Sequence, residues 1–165
     1  REGLGAERQR LGTARLATVA GWPRTLELGI DGLGHVLVCH STPGSEDPIY
    51  TRLTPQEELL SLFAGVEAEV VLCGHTHMQY DRQLSNGLRV VNPGSVGLPY
   101  EGSPGAYWAL LGPGVEFRRS AYDVEAAASA IRALGTAVQE DVLGRLVHPP
   151  TSDEATAEFE KLRGA

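Results

Sequence analysis

Glu69-Val70-Val71-Leu72-Cys73-Gly74-His75-Thr76-His77 is a short apolar run that ends in two histidines, and it decides how the chain is read. A continuous apolar run of this length, with β-branched valines at its centre and a glycine at its end, reads as a strand buried on both faces. Gly74 has no Cβ and lets the backbone turn sharply, so His75 and His77 stand on a turn at the strand's C-terminal end. Two imidazoles spaced by one residue in a turning segment can each face a different ion.

Working upstream, Thr54-Pro55-Gln56-Glu57 combines an N-cap residue, a first-turn proline and a glutamate three residues after the cap. It predicts a helix through Leu59, Leu60, Leu62 and Phe63 to Gly65. Before it, Ser41 to Leu53 holds Pro43, Gly44 and Pro48 without a period, which is a loop. That loop leaves His35 to Cys39, an apolar strand running into His40, and Thr25 to Ile30 precedes it across the Asp31-Gly32 turn. Gly3 to Ala20 carries a weak helical pattern closed by Gly21-Trp22-Pro23.

Downstream, Tyr80 to Leu84 and Leu88 to Val91 flank Asn86-Gly87, a strong hairpin signal, and the second strand enters Asn92-Pro93-Gly94-Ser95-Val96-Gly97. Ala106 to Leu111 and Val115 to Ser120 read as two further strands that continue the sheet to about Tyr122. Val124 to Leu134 is an alanine-rich helix, a second amphipathic piece runs from Gly135 to Val147, and Asp153 to Leu162 forms a last helix. The 165 residues are expected to form a single domain.

With parallel buried strands the C-terminal ends meet along one edge, where ligand sites form, so His40, His75 and His77 can converge there as metal ligands. Each histidine alone also fits a partly buried side chain with a backbone partner; the compound pattern around His75 and His77 favours a metal. Other residues were weighed against plainer roles. Ser45, Tyr50 and Arg52 read as exposed loop residues, Asp81 and Arg82 as an exposed hairpin pair, and His35 and His148 as surface. Backbone amides of Asn92 to Gly97 can line a phosphate site, and a simple turn explains the glycines equally well.

Three segments together resemble the later motifs of the calcineurin-like metallophosphoesterases: Val36-Leu37-Val38-Cys39-His40-Ser41-Thr42-Pro43-Gly44, Gly74-His75-Thr76-His77, and Asn92-Pro93-Gly94-Ser95-Val96-Gly97. The last resembles the small bacterial and archaeal phosphodiesterase branch. The resemblance implies an α/β fold, a β-sandwich flanked by helices, of which residues 1–165 would be the C-terminal portion. It implies two divalent ions, with His40 and His75 on one and His77 on the other, and a small phosphate ester as substrate. Manganese, iron, zinc, cobalt or nickel all suit such ligands.

The Asp-x-His, Gly-Asp and Gly-Asn-His-Asp motifs that precede this segment in family members do not occur here. Two ions held close together repel unless carboxylates offset their charge, and three neutral imidazoles do not. The chain alone is therefore expected to be inactive, no residue in it is assigned a catalytic role beyond metal ligation, and a preceding half is expected to complete the site. Two rival readings stay open: a phosphoesterase-fold interaction module without catalysis, as the retromer subunit of this fold family suggests by resemblance, and a mononuclear site that only stabilises the fold.

The formal charge of -7 argues against a long nucleic acid as partner. No run of about 18 apolar residues predicts a membrane span. Cys39 and Cys73, both at the ends of apolar runs, read as buried reduced thiols of a cytoplasmic protein. The Trp22 to Leu28 edge and the C-terminal helices offer surfaces for a homo-oligomer.

Overall fold

The computed structural model describes residues 2–133 and 140–164. Its centre is the strand read first, β3 (Val70–Leu72), which lies between β2 (Gly34–Cys39) and β5 (Arg89–Pro93) and runs parallel to both. A parallel pair needs a crossover, and α2 (Gln56–Leu62) supplies it between β2 and β3. Two antiparallel strands close the flanks, β1 (Thr25–Ile30) on β2 and β4 (Gln79–Gln83) on β5, giving the order β1-β2-β3-β5-β4.

Successive side chains of a strand point to opposite faces, so the central sheet buries both. Leu37, Cys39, Val71, Cys73 and Val90 face a cluster built on Leu59 and Phe63 from the α2 segment and on Tyr50. Val36, Val70 and Val91 face the other way, against Leu111 and Val115. These last two belong to β6 (Ala106–Leu111) and β7 (Val115–Ser120), an antiparallel pair.

The β6–β7 hairpin does not continue the central sheet, as the strand pattern had predicted; it is a separate two-stranded sheet stacked on it. The cause lies at Gly94, whose φ of 85° bends the chain off the end of β5. A Cβ there would stand 2.9 Å from both Gln79 Cγ and Tyr107 Cβ, so only glycine admits the close approach. The Tyr107 amide then donates to the Ser95 carbonyl (3.0 Å), and the Gln79 side-chain amide donates to the carbonyls of Pro93 and Trp108 (3.1 Å each). Alternating apolar residues suit stacking and edge addition equally, so the pattern could not separate them.

The Asn86-Gly87 hairpin forms, but through three residues rather than two: the Leu84 amide donates to the Leu88 carbonyl, the Leu88 amide to Asn86 Oδ1, the Gly87 amide to the Leu84 carbonyl, and Gly87 takes φ 92°. This is the longer hairpin loop with a left-handed glycine.

The capping expected at Thr54 is absent. Pro55 occupies the N-cap of α2 with no side-chain cap bond, because the Thr54 hydroxyl is engaged elsewhere: it accepts from the Thr51 amide (2.8 Å) and donates to Glu160 Oε1 (2.8 Å). A reciprocal capping box opens α5 (Ser152–Arg163) instead, between Thr151 and Glu154. The first helix, α1 (Glu2–Ala20), is kinked at Gly12. Two more, α3 (Val124–Ala133) and α4 (Glu140–Val147), pack through Ala128, Leu143 and Leu146. Leu134 and Gly135, expected as the boundary between them, lie outside the described residues.

Through Glu160, α5 is tied to the loop that follows His40. Its carboxylate accepts from the Thr51 hydroxyl (2.6 Å), the Thr54 hydroxyl and Arg163 Nη2 (2.7 Å), while Arg163 also reaches Glu58. Partial burial raises the Glu160 pKa, but the bonds from Thr51, Arg163 and Thr54 outweigh it, and the net shift is downward from 4.5. A carboxylate depressed in the folded state stabilises it above its unfolded pKa, and that contribution disappears as pH falls through the lower folded value. Glu160→Gln should therefore lower Tm at about pH 6, where the wild-type group is ionised. The gap to wild type should narrow on acidification below 4.5; a gap independent of pH in circular-dichroism melts would refute this.

Candidate metal centre

The parallel register of β2 and β3 places their C-terminal ends side by side, and the ladder extends one step further through the Gly74 amide to the His40 carbonyl (2.8 Å). His40 and His75 thereby leave adjacent strand ends. Their rings meet edge-on, at 4.9 Å between centroids and 72° between planes, with His40 Nε2 3.0 Å from His75 Nδ1. That is the distance of a hydrogen bond between the rings, one nitrogen protonated and the other bare, and it brings the two imidazoles side by side.

The turn that carries His75 and His77 is held in an unusual form. Both residues take positive φ, 68° and 59°, and the Thr76 amide donates to the Gly74 carbonyl (2.8 Å). His77 Nδ1 donates to the Leu98 carbonyl (2.9 Å), which leaves Nε2 with its lone pair, the tautomer a metal needs. Tyr100 lies over the His77 ring at 5.4 Å, and its amide donates to the His77 carbonyl (3.2 Å).

Burial lowers the His75 pKa, and the charge of His40 lowers it further; burial also lowers His77, against the opposing Leu98 carbonyl. His40 acts electrostatically on both. Neutral imidazoles are the form that binds metal. The Asp47 backbone opposes that shift and raises the His75 pKa, an influence that no sequence pattern signals because any residue carries a carbonyl. Leu98 was missed for the same reason.

Several residues weighed as loop or hairpin surface sit elsewhere. Tyr50 is 3% exposed, its ring edge-on to Phe63 (5.5 Å, 84°), and its hydroxyl donates to the Ser41 carbonyl beside His40. Arg82 donates to the Thr51 and Thr54 carbonyls (3.4 and 2.6 Å) rather than standing free, while Asp81 receives a bidentate contact from Arg89 (2.9 and 2.6 Å). In the Asn92 to Gly97 loop, the Gly94 amide is already taken by Asn92 Oδ1 (2.9 Å) and is not offered to a phosphate. Cys39 and Cys73 are buried free thiols, and burial pushes Cys39 up to about 12.

The calcineurin-like phosphoesterase superfamily domain matches residues 13–111, which contain the whole central sheet and all three histidines. The chain belongs to this superfamily. A hypothetical protein from Pyrococcus horikoshii has a similar structure, at a TM-score of 0.73 and 23% identity over 87% of this chain and 57% of its own. A metallophosphoesterase from Sphaerobacter thermophilus is also similar, at 0.62 and 24% over 84% of this chain and 62% of its own. No curated protein matches the chain significantly. The chain thus spans less than two thirds of either structural relative, and it shares their mixed sheet flanked by helices.

The superfamily generally uses divalent metals, and imidazole nitrogen suits such ions by donor type. Among the described residues no group of three or more His, Cys, Asp or Glu stands together so as to hold an ion by itself. Among the described residues, too, no helix is long and apolar enough to cross a membrane.

Proposed function

We propose that this chain is the imidazole-bearing portion of a metal-dependent phosphoesterase domain that hydrolyses small phosphate esters. In this reading His40 and His75 hold one divalent ion and His77 the other, and a carboxylate-bearing segment outside residues 1–165 completes the centre. The 3.0 Å separation of His40 Nε2 and His75 Nδ1 carries the reading. Two bound ions would supply a hydroxide at neutral pH and offset charge on the phosphoryl oxygens.

What the chain's own residues contribute is placement. The Leu98 carbonyl holds the His77 tautomer, the His40 ring orients His75, and partial burial favours the neutral form of both rings. Manganese, iron, zinc, cobalt and nickel all suit the ligands. The buried thiols Cys39 and Cys73 support a reducing, cytoplasmic setting.

A second reading, a phosphoesterase-fold interaction module without catalysis, draws on the β1 edge, where Trp22, Leu26 and Leu28 are 67%, 52% and 43% exposed. One experiment separates the two: metal content and hydrolysis of a nitrophenyl phosphodiester, measured on the full translation product containing this chain. Two ions per chain with turnover are expected; a metal-free, inactive product would leave the interaction module.

A further inference from the structure

Asn92 is fully buried at the end of β5, and its side-chain amide is used on both sides. Nδ2 donates to the Gly74 carbonyl (2.6 Å) and to Thr76 Oγ1 (3.3 Å), and Oδ1 accepts from the Gly94 amide (2.9 Å). The two donated bonds grip the turn Gly74-His75-Thr76-His77 from beneath, and Thr76 is itself 2% exposed. The Tyr80 hydroxyl meets the side chains of Asn92 and Thr76 from the same buried face.

Within that turn His75 and His77 both take a left-handed backbone, which is uncommon for residues that carry a Cβ and persists only where the surroundings hold it. Asn92 reaches the two residues that flank His75: the Gly74 carbonyl accepts from the Thr76 amide and from Asn92, and the Thr76 hydroxyl accepts from the same amide group. We propose that Asn92 is the positioning residue of the histidine turn, fixing His75 and His77 in their left-handed conformations so that both rings stand ready for ions before any ion arrives.

A carboxamide suits this place because donor and acceptor are both needed. Its NH₂ satisfies the turn while its oxygen satisfies Gly94, the residue that sends the chain toward β6. An aspartate of the same shape keeps the acceptor and loses the donors. The significance for ion binding rests on the ligand assignment proposed above; the grip on the backbone does not.

Asn92→Ala and Asn92→Asp, with Val90→Ala as a control for lost packing on the same strand face, test this. Intraresidue amide-to-α-proton NOEs are strong at positive φ and report His75 and His77 directly, without metal. Both Asn92 variants should weaken these two NOEs, and Asn92→Ala should bind zinc at least about tenfold more weakly than wild type, as supporting contacts to metal ligands typically cost. Val90→Ala should lower Tm and leave NOEs and zinc affinity unchanged. Asn92→Asp is read by NOEs alone, since its charge itself attracts the ion, and it decides the matter if the alanine variant does not fold. Wild-type NOEs in either folded variant, or wild-type zinc affinity in Asn92→Ala, would overturn the proposal. A wild-type chain that takes up no zinc would overturn the ligand assignment instead, with the NOEs still deciding the role of Asn92.

Discussion

His75→Gly should weaken zinc binding by at least about 100-fold, more than the roughly 10–100-fold that loss of a merely supporting contact costs. Glycine is the informative replacement because His75 sits at φ 68°, where alanine would add backbone strain to the loss of the ligand. His40→Ala should lose the same ion, since the two rings approach to 3.0 Å, and His77→Gly, chosen for the φ of 59° there, should lose the other while leaving the first. Zinc titration by calorimetry on the chain, and metal counts on the full-length protein, separate these outcomes. Wild-type affinity in His75→Gly would end the ligand assignment, and loss of both ions, or of neither, in the His77 variant would end the division between two ions.

The second large effect falls on stability. Phe63→Ala should cost about 3–5 kcal/mol, the range for emptying a buried aromatic site, and lower Tm by roughly 10 °C for a chain of this size. Phe63 is 2% exposed and stands edge-on to Tyr50, whose hydroxyl holds the Ser41 carbonyl next to His40. Its loss should therefore loosen the loop after β2 as well as the α2 packing. Leu53→Ala, at 63% exposure, should be nearly neutral. Equal melting temperatures for Phe63→Ala and wild type would show that this cluster does not hold α2 to the sheet.

Most of the central sheet was legible in the chain. Val36 to Cys39 and Val70 to Leu72 are apolar without alternation because both faces are covered, and a glycine or histidine ends each run. The hairpins around Asp31-Gly32 and Asn86-Gly87 were equally plain, since turn chemistry is local. His40, His75 and His77 were legible as candidates because three short motifs place them at strand ends.

What the chain did not reveal depends on contacts between distant residues. Thr54-Pro55-Gln56-Glu57 has the local signature of a cap, yet the Thr54 hydroxyl goes to Glu160, 106 positions away in sequence. Tyr50 lies in a proline-rich loop that looks exposed, and it is core because Phe63 and the Ser41 carbonyl receive it. Asn92 looked like part of a glycine-rich turn; its grip on Gly74 and Thr76 needs β5 beside β3.

Local chemistry alone thus determined most of the elements and marked the three imidazoles as candidates, because period, turn residues and strand termini act within a few positions of one another. Tertiary structure alone decided that β6–β7 stacks on the sheet instead of extending it, that His40 and His75 come within 3.0 Å, and that an amide from β5 holds their turn. Those outcomes are set by which surfaces meet, and a side chain's hydrogen-bonding partner across the core leaves no trace in the residues next to it.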